Sequence, residues 1–231
     1  MAEPLDKSGQ LNREECRTLA DALPDAPVNV IPADLLRRGL CGAYVSGDLT
    51  SFEAALVRGT HLQEEPFGLG QDHRVIWEML QPLEGWTCVD VEAAVAPLLG
   101  ALIMDSTGKC VCYYGDLYHT LTEPAATFQH ELVRRLTLDD LPLLKASGID
   151  GASFGSLGNL LTEAVVPGAV VSGRVVGVAQ TNAITDRYGD IGVSTDEAFR
   201  GTGIATAAAS MVARHLLQAS GSKDYIVAEV A

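Results

Sequence analysis

Basic residues are scarce in this 231-residue chain: 16 Lys and Arg stand against 30 Asp and Glu, a formal net charge of −14. Duplex nucleic acid is held by clustered Lys and Arg on phosphates, so nucleic acid is not expected as a partner. No run approaches 18 uninterrupted apolar residues, so no transmembrane helix and no membrane partner are expected. The start, MAEPLDKSGQLNREEC, has neither a basic nor an apolar leader segment; a secretory signal is not read and a cytoplasmic location is expected. Paired CxxC and HxxxH spacings are missing, and the five histidines share no metal-ligand spacing, so no metal is expected. The cysteines (Cys16, Cys41, Cys88, Cys110, Cys112) are odd in number and expected to be free thiols. Alternation in KCVCYYG would put Cys110 and Cys112 on one strand face, as half-buried structural residues.

What is present suits a folded protein: 47% of residues are hydrophobic and 20% charged, enough to bury a core. The acid is uneven, with a net of −11 over the first 130 residues and −3 over Glu131 to Ala231. This keeps the chain in solution and would also attract a cationic substrate or partner.

The pattern along the chain predicts a helix over Arg13–Leu23, a short helix over Ser51–Gly59 capped near Thr50 or Ser51, and strands over Arg74–Leu80 and Gly85–Val89. A helix is predicted within Val91–Met104, and strands over Lys109–Tyr114 and Asp116–Leu121. Near Glu123-Pro124 the character changes, placing a domain boundary at about 124–131. This gives an N-terminal α+β domain over 1–127 and a second domain over 128–231. In the latter, Leu132–Leu136 reads as a strand, and Thr137 as a cap with Asp139 and Asp140 in the first helical turn. Ser156–Val165 reads as a helix. Val165–Ser172 and Arg174–Ile184 form a hairpin turning at Ser172-Gly173. Asp190–Thr195 is a strand, Phe199–Gln218 a long Ala-rich helix, and Tyr225–Val230 a last strand.

The chemistry sits in DIGVSTDEAFRGTGIATAAAS, which reads strand, turn, glycine loop, helix. Gly201 and Gly203 leave room for successive N–H groups of Arg200, Gly201, Thr202, Gly203, Ile204 and Ala205 to converge on one point. The helix start adds partial positive charge there. Such a loop suits a phosphate or pyrophosphate, with Arg200, Thr202 and Thr206 as further donors. A P-loop is excluded because no Lys follows the glycines. A Rossmann fingerprint fits poorly: Thr206 stands at the third glycine, and Glu229 is 28 residues from Gly201. A purely structural turn is the alternative.

Arg200, Gly203 and Ala205 fill the pattern (Gln/Arg)-x-x-Gly-x-(Gly/Ala), which resembles the acetyl-CoA signature of the GNAT acetyltransferase superfamily. RRLTLDDLPLL resembles that fold's first strand and helix, and GAVVSGRVVGVAQT its central hairpin. GWTCVDVE and YYGDLYHTLTEP are similar to the lead-in domain of a two-domain bacterial branch. The resemblance implies an α/β fold, with a mixed, mostly antiparallel sheet flanked by helices, after a smaller α+β domain. It implies direct transfer of an acetyl group from acetyl-CoA to a primary amine of a small molecule or protein. The pantetheine arm would run along Val193, Ser194 and Thr195, and the pyrophosphate would sit on Arg200–Ala205. The thioester would lie where this strand and the last one splay apart, its oxyanion near the Val193 N–H. Asp190 and Glu229 are the candidate bases, and Tyr188 and Tyr225 candidate proton donors. His215, on the long helix, reads as a packed or surface residue.

The resemblance also implies a further helix and two strands after the fifth strand, where this sequence has Glu229-Val230-Ala231. The last strand is therefore expected to show an uncovered edge. A longer protein, completion by another copy in a homodimer, and a noncatalytic CoA-binding module all fit that expectation.

Overall fold

The computed structural model describes residues 9–115, 118–121, 126–149, 154–220 and 224–228. The chain packs as two compact units. One comprises residues up to Pro24 and Pro32–Gly115; the other comprises Asp25–Ile31 and the residues from Asp116 onward.

The first unit opens with α1 (Arg13–Ala22). Asn12 caps it by accepting from the Glu14 and Glu15 N–H groups, and the Glu15 carboxylate accepts from the Asn12 N–H in return. After α2 (Val30–Arg38) come β1 (Cys41–Asp48), β2 (Ser51–Gly59), β3 (Phe67–Gly70), α3 (His73–Leu80), β4 (Asp90–Val91) and α4 (Ala96–Thr107). The four strands form one sheet in chain order.

Here the structure corrects several expectations. Ser51–Gly59 is a strand rather than a helix. It pairs with β1 on one side and β3 on the other, and Ala54–Val57 are fully buried on both faces. A doubly covered strand reads as a continuous apolar run, without the alternation that marks a half-exposed one. Arg74–Leu80 is helix α3 rather than a strand. The Asp72 carboxylate accepts from the Arg74 and Val75 N–H groups, and Ile76, Met79 and Leu80 bury one helical face. Gly85–Cys88 and Lys109–Tyr114 are irregular. Cys110 and Cys112 are accordingly exposed, not half-buried on a strand. Helix α4 starts later than expected, with Pro97 in its first turn, and ends at Gly108 in the left-handed region (φ 68°).

The second unit holds β5 (Tyr118–Leu121), β6 (Val133–Arg135), α5 (Leu141–Ala146), α6 (Leu157–Glu163), β7 (Pro167–Val171), β8 (Arg174–Ile184), β9 (Tyr188–Thr195), α7 (Ile204–Ser220) and β10 (Asp224–Ala228). Its sheet runs β5-β10-β9-β8-β7-β6. Every pairing is antiparallel except β9 with β10. The fold is thus α/β with antiparallel-dominated sheets flanked by helices. The hairpin turns where expected: Ser172 (φ 50°) and Gly173 (φ 76°) both take positive φ, as a tight two-residue turn requires. The expected bare edge on the last strand is absent. Strand β5 pairs antiparallel with β10, Tyr118 opposite Ala228 and Leu121 opposite Tyr225, so that edge is covered from within the same chain.

Helix α7 packs one face of this sheet through Ala208, Val212 and Leu216 against Ala179 and Ile191. The other face packs α5 and α6 through Leu136, Leu144, Leu160 and Val178. The Arg134 guanidinium grips the Asp140 carboxylate through two N–H donors, at 2.8 and 2.6 Å, and Thr137 N–H adds a third at 2.9 Å. These donors hold the Asp140 carboxyl down at about 2. Its stabilising contribution is therefore present above the ordinary carboxylate value and lost as pH falls through about 2. Asp140→Asn is expected to cost about 1.5 kcal/mol at neutral pH, the low end for charged hydrogen bonds because Arg134 is half exposed. Urea melts of the two proteins should converge between pH 5 and 2.

Candidate functional site

The second half of β9 and the turn that follows it define the site. The two strands pair in parallel from Tyr188–Asp224 to Ile191–Val227. Strand β9 continues through Gly192, Val193, Ser194 and Thr195, paired there with Gln180, Ala179, Val178 and Gly177 of β8. Among the described residues nothing pairs with the β10 side of that stretch. Val193 is half-buried, Ser194 exposed and Thr195 half-buried, and the Thr195 hydroxyl oxygen is buried with no partner.

The chain then turns over Glu197–Phe199 and enters the glycine loop. Asp196 caps that turn by accepting from the Ala198 N–H. Gly201 (φ 73°) and Gly203 (φ 91°) both lie in the left-handed region, where only glycine sits without strain. A Cβ at Gly201 would meet nothing within 4 Å, and one at Gly203 would meet only the His130 ring, at 4.0 Å. The glycines are thus required by backbone conformation, and the loop is open to solvent. The Ala207 N–H reaches the Gly203 carbonyl to start the helix ladder, while the Thr202 hydroxyl donates to the Phe199 carbonyl. The backbone N–H groups from Gly201 to Thr206 have no backbone acceptor among the described residues. This run of donors at a helix start is an anion cradle. Arg200 is exposed beside it.

Two further glycines make room for neighbouring side chains on the sheet. A Cβ on Gly177 would lie 2.5 Å from Ile204 Cγ2, so its absence lets the first residue of α7 press onto β8. A Cβ on Gly192 would lie 2.5 Å from Asn182 Nδ2; the Asn182 side chain occupies that space.

Asp190 is buried, at 4% exposure. Asn182 Nδ2 donates to its Oδ2 at 3.0 Å. Burial pushes the carboxyl up, opposed by the Asn182 donor and the Ile191 N–H. It is not a strand-end acid in open water. Glu229, the other candidate base, lies outside the described residues. Tyr188 is buried against Val30 and Ala183, with the Arg187 guanidinium 5.2 Å from its ring centre. Tyr225 is placed on β10 opposite Gly189. His215 is exposed on α7. The structure thus places Asp190 and Val193–Thr195 on one strand, with the glycine loop following that strand.

Sequence reasoning missed three residues here. His130 lies beside Gly203, with its Nδ1 accepting from the Leu132 N–H at 3.2 Å; no local pattern signals that contact. Gln180 and Asn182 were read only as part of a hairpin strand. Their signal was two amides two residues apart in an otherwise apolar strand. Among the described residues, no group of three His, Cys, Asp or Glu side chains gathers as a metal site, and no helix is long and apolar enough to cross a membrane.

Comparison with known proteins agrees with this architecture. Residues 150–231 match the sequence model of the acetyltransferase (GNAT) family. Among solved structures, a GCN5-related N-acetyltransferase-like protein from Streptococcus suis 89/1591 superposes with a TM-score of 0.62 at 21% identity, over 94% of this chain and 89% of that one. A Drosophila protein gives 0.55 at 11% identity, over 96% and 89%. A tandem GNAT protein from the clavulanic acid biosynthesis pathway gives 0.53 at 12%, over 95% and 88%. No curated protein matches the chain.

Proposed function

We propose that this chain, whose residues 150–231 match the acetyltransferase (GNAT) family model, transfers an acetyl group from acetyl-CoA to a primary amine of a small molecule or protein. The observation that carries the reading is the run of amides from Gly201 to Thr206 with no backbone acceptor among the described residues, at the start of the helix that follows β9. The Arg200 N–H is held by the Glu197 carbonyl, so a pyrophosphate would lie on the amides of Gly201–Ala205, and the pantetheine arm would run beside Val193, Ser194 and Thr195. The acceptor amine must lose a proton before or as it attacks. Asp190, buried and with its carboxyl raised above the ordinary range, is suited to take that proton. The nitrogen lone pair then forms the C–N bond at the thioester carbonyl. The oxyanion is met by a β9 amide in the unpaired stretch, with Val193 in first place. Collapse breaks the C–S bond and the thiolate leaves as CoA. Glu229 remains the second candidate base.

The test is a free-thiol assay of the purified chain with acetyl-CoA across small amines, polyamines and peptides with free N-termini. Thiol release that depends on one amine class is expected. Acetyl-CoA binding with no release from any amine would favour a noncatalytic CoA-binding module instead.

A further inference from the structure

Strand β8 carries a line of amides that leads to Asp190. Asn182 is the extra residue of a bulge: Thr181 pairs with Ile191, and Ala183 with Asp190. The bulge turns Asn182 toward Asp190, into the space that Gly192 leaves empty. Asn182 Nδ2 donates to the carboxylate, and Asn182 Oδ1 accepts from Gln180 Nε2 at 3.2 Å. The direction of the chain is fixed by its end, because a carboxylate only accepts. Gln180 Oε1 is therefore left at the far end of the line, buried without a donor. A buried acceptor without a partner is rare and costs stability. Gln180 pairs with Gly192, two residues along β9 from Asp190.

We propose that Gln180 Oε1 is a specificity-determining contact for the acceptor amine, and that Asn182 is the positioning residue coupling it to Asp190. The inference rests on the acetyltransferase reading of the same site. An incoming primary amine supplies the missing donor to Gln180 Oε1, and the hydrogen-bonded line through Asn182 couples that contact to the Asp190 carboxylate. Tertiary amines, which offer no N–H when neutral, are rejected. Burial and two hydrogen bonds set the Asp190 carboxyl; the Asp25 carboxylate accepts from the Thr185 hydroxyl and the Arg187 backbone N–H at the turn before Tyr188, and the Arg187 guanidinium lies over the Tyr188 ring.

The experiment compares wild type, Gln180→Leu and Asn182→Leu in three readouts. Acetyl-CoA affinity by calorimetry should be the same in all three. Gln180→Leu should raise KM for the accepted amine about tenfold. Asn182→Leu removes a donor to the carboxylate, so the acid limb of kcat/KM should move to higher pH. In parallel, the side-chain NH2 resonances of Gln180 and Asn182, assigned by their loss in these variants, should shift when amine is added to the acetyl-CoA-free protein. Unchanged KM and pH profile in both variants would overturn the proposal, and so would NH2 resonances that no amine moves in a protein that binds acetyl-CoA. Failure of the wild type to bind acetyl-CoA would instead overturn the acetyltransferase reading itself.

Discussion

Asp190→Asn is expected to lower turnover by about 10²–10⁴-fold, the usual contribution of a positioned base, while leaving acetyl-CoA affinity unchanged. The same substitution should raise the melting temperature at neutral pH. Burial pushes the Asp190 carboxyl up, so the folded protein holds that proton more tightly than the unfolded chain does. The contribution to stability is therefore present at low pH and lost as pH rises through the folded-state value. Above that point the wild type carries a buried charge that the asparagine variant lacks. A residue kept for stability would give the opposite sign, and a solvated acid would give no change. Paired thermal melts at pH 4 and pH 7.5, alongside the thiol-release rate, separate these outcomes.

The second large effect belongs to the glycine loop. Gly203→Val forces a β-branched residue to φ 91°, a conformation it avoids. The new Cβ would meet only the His130 ring edge at 4.0 Å, so the expected consequence is a changed loop path rather than a packing clash. Acetyl-CoA affinity should fall by at least tenfold. Helix α7 stays anchored through Ile204, Ala208, Val212 and Leu216, and far-UV circular dichroism should be unaltered. Affinity equal to wild type, measured by titration, would mean that the cofactor lies elsewhere.

The second unit was far more legible in the sequence than the first, for physical reasons. From Leu132 onward local signals agree with the final structure: Thr137 and Ser156 cap their helices, and Ser172-Gly173 supplies the positive φ of a hairpin turn. In the first unit, SFEAALVRG carries good helix formers, yet it lies between two strands and is buried on both faces. Its pairing partners, not its own residues, decide its conformation. RVIWEML has β-rich composition, but the Asp72 cap and the 3–4 spacing of Ile76, Met79 and Leu80 win. The covering of β10 by Tyr118–Leu121 joins residues about a hundred positions apart, which no local pattern reports.

The site divides the same way. Positive φ at Gly201 and Gly203 follows from the residue type, so the loop was legible. The acid at Asp190 was visible, but its burial was not. The Gln180–Asn182–Asp190 line depends on a bulge and on the missing Cβ of Gly192, both of which exist only after strands pair.

The most direct measurement is a calorimetric titration of the chain with acetyl-CoA and with CoA, repeated with dephosphorylated pantetheine. Micromolar binding of both CoA species, with pantetheine much weaker, is the predicted result, because the Gly201–Thr206 amides act on the phosphates. Equal affinity for pantetheine, or no binding of any of the three, would contradict the account.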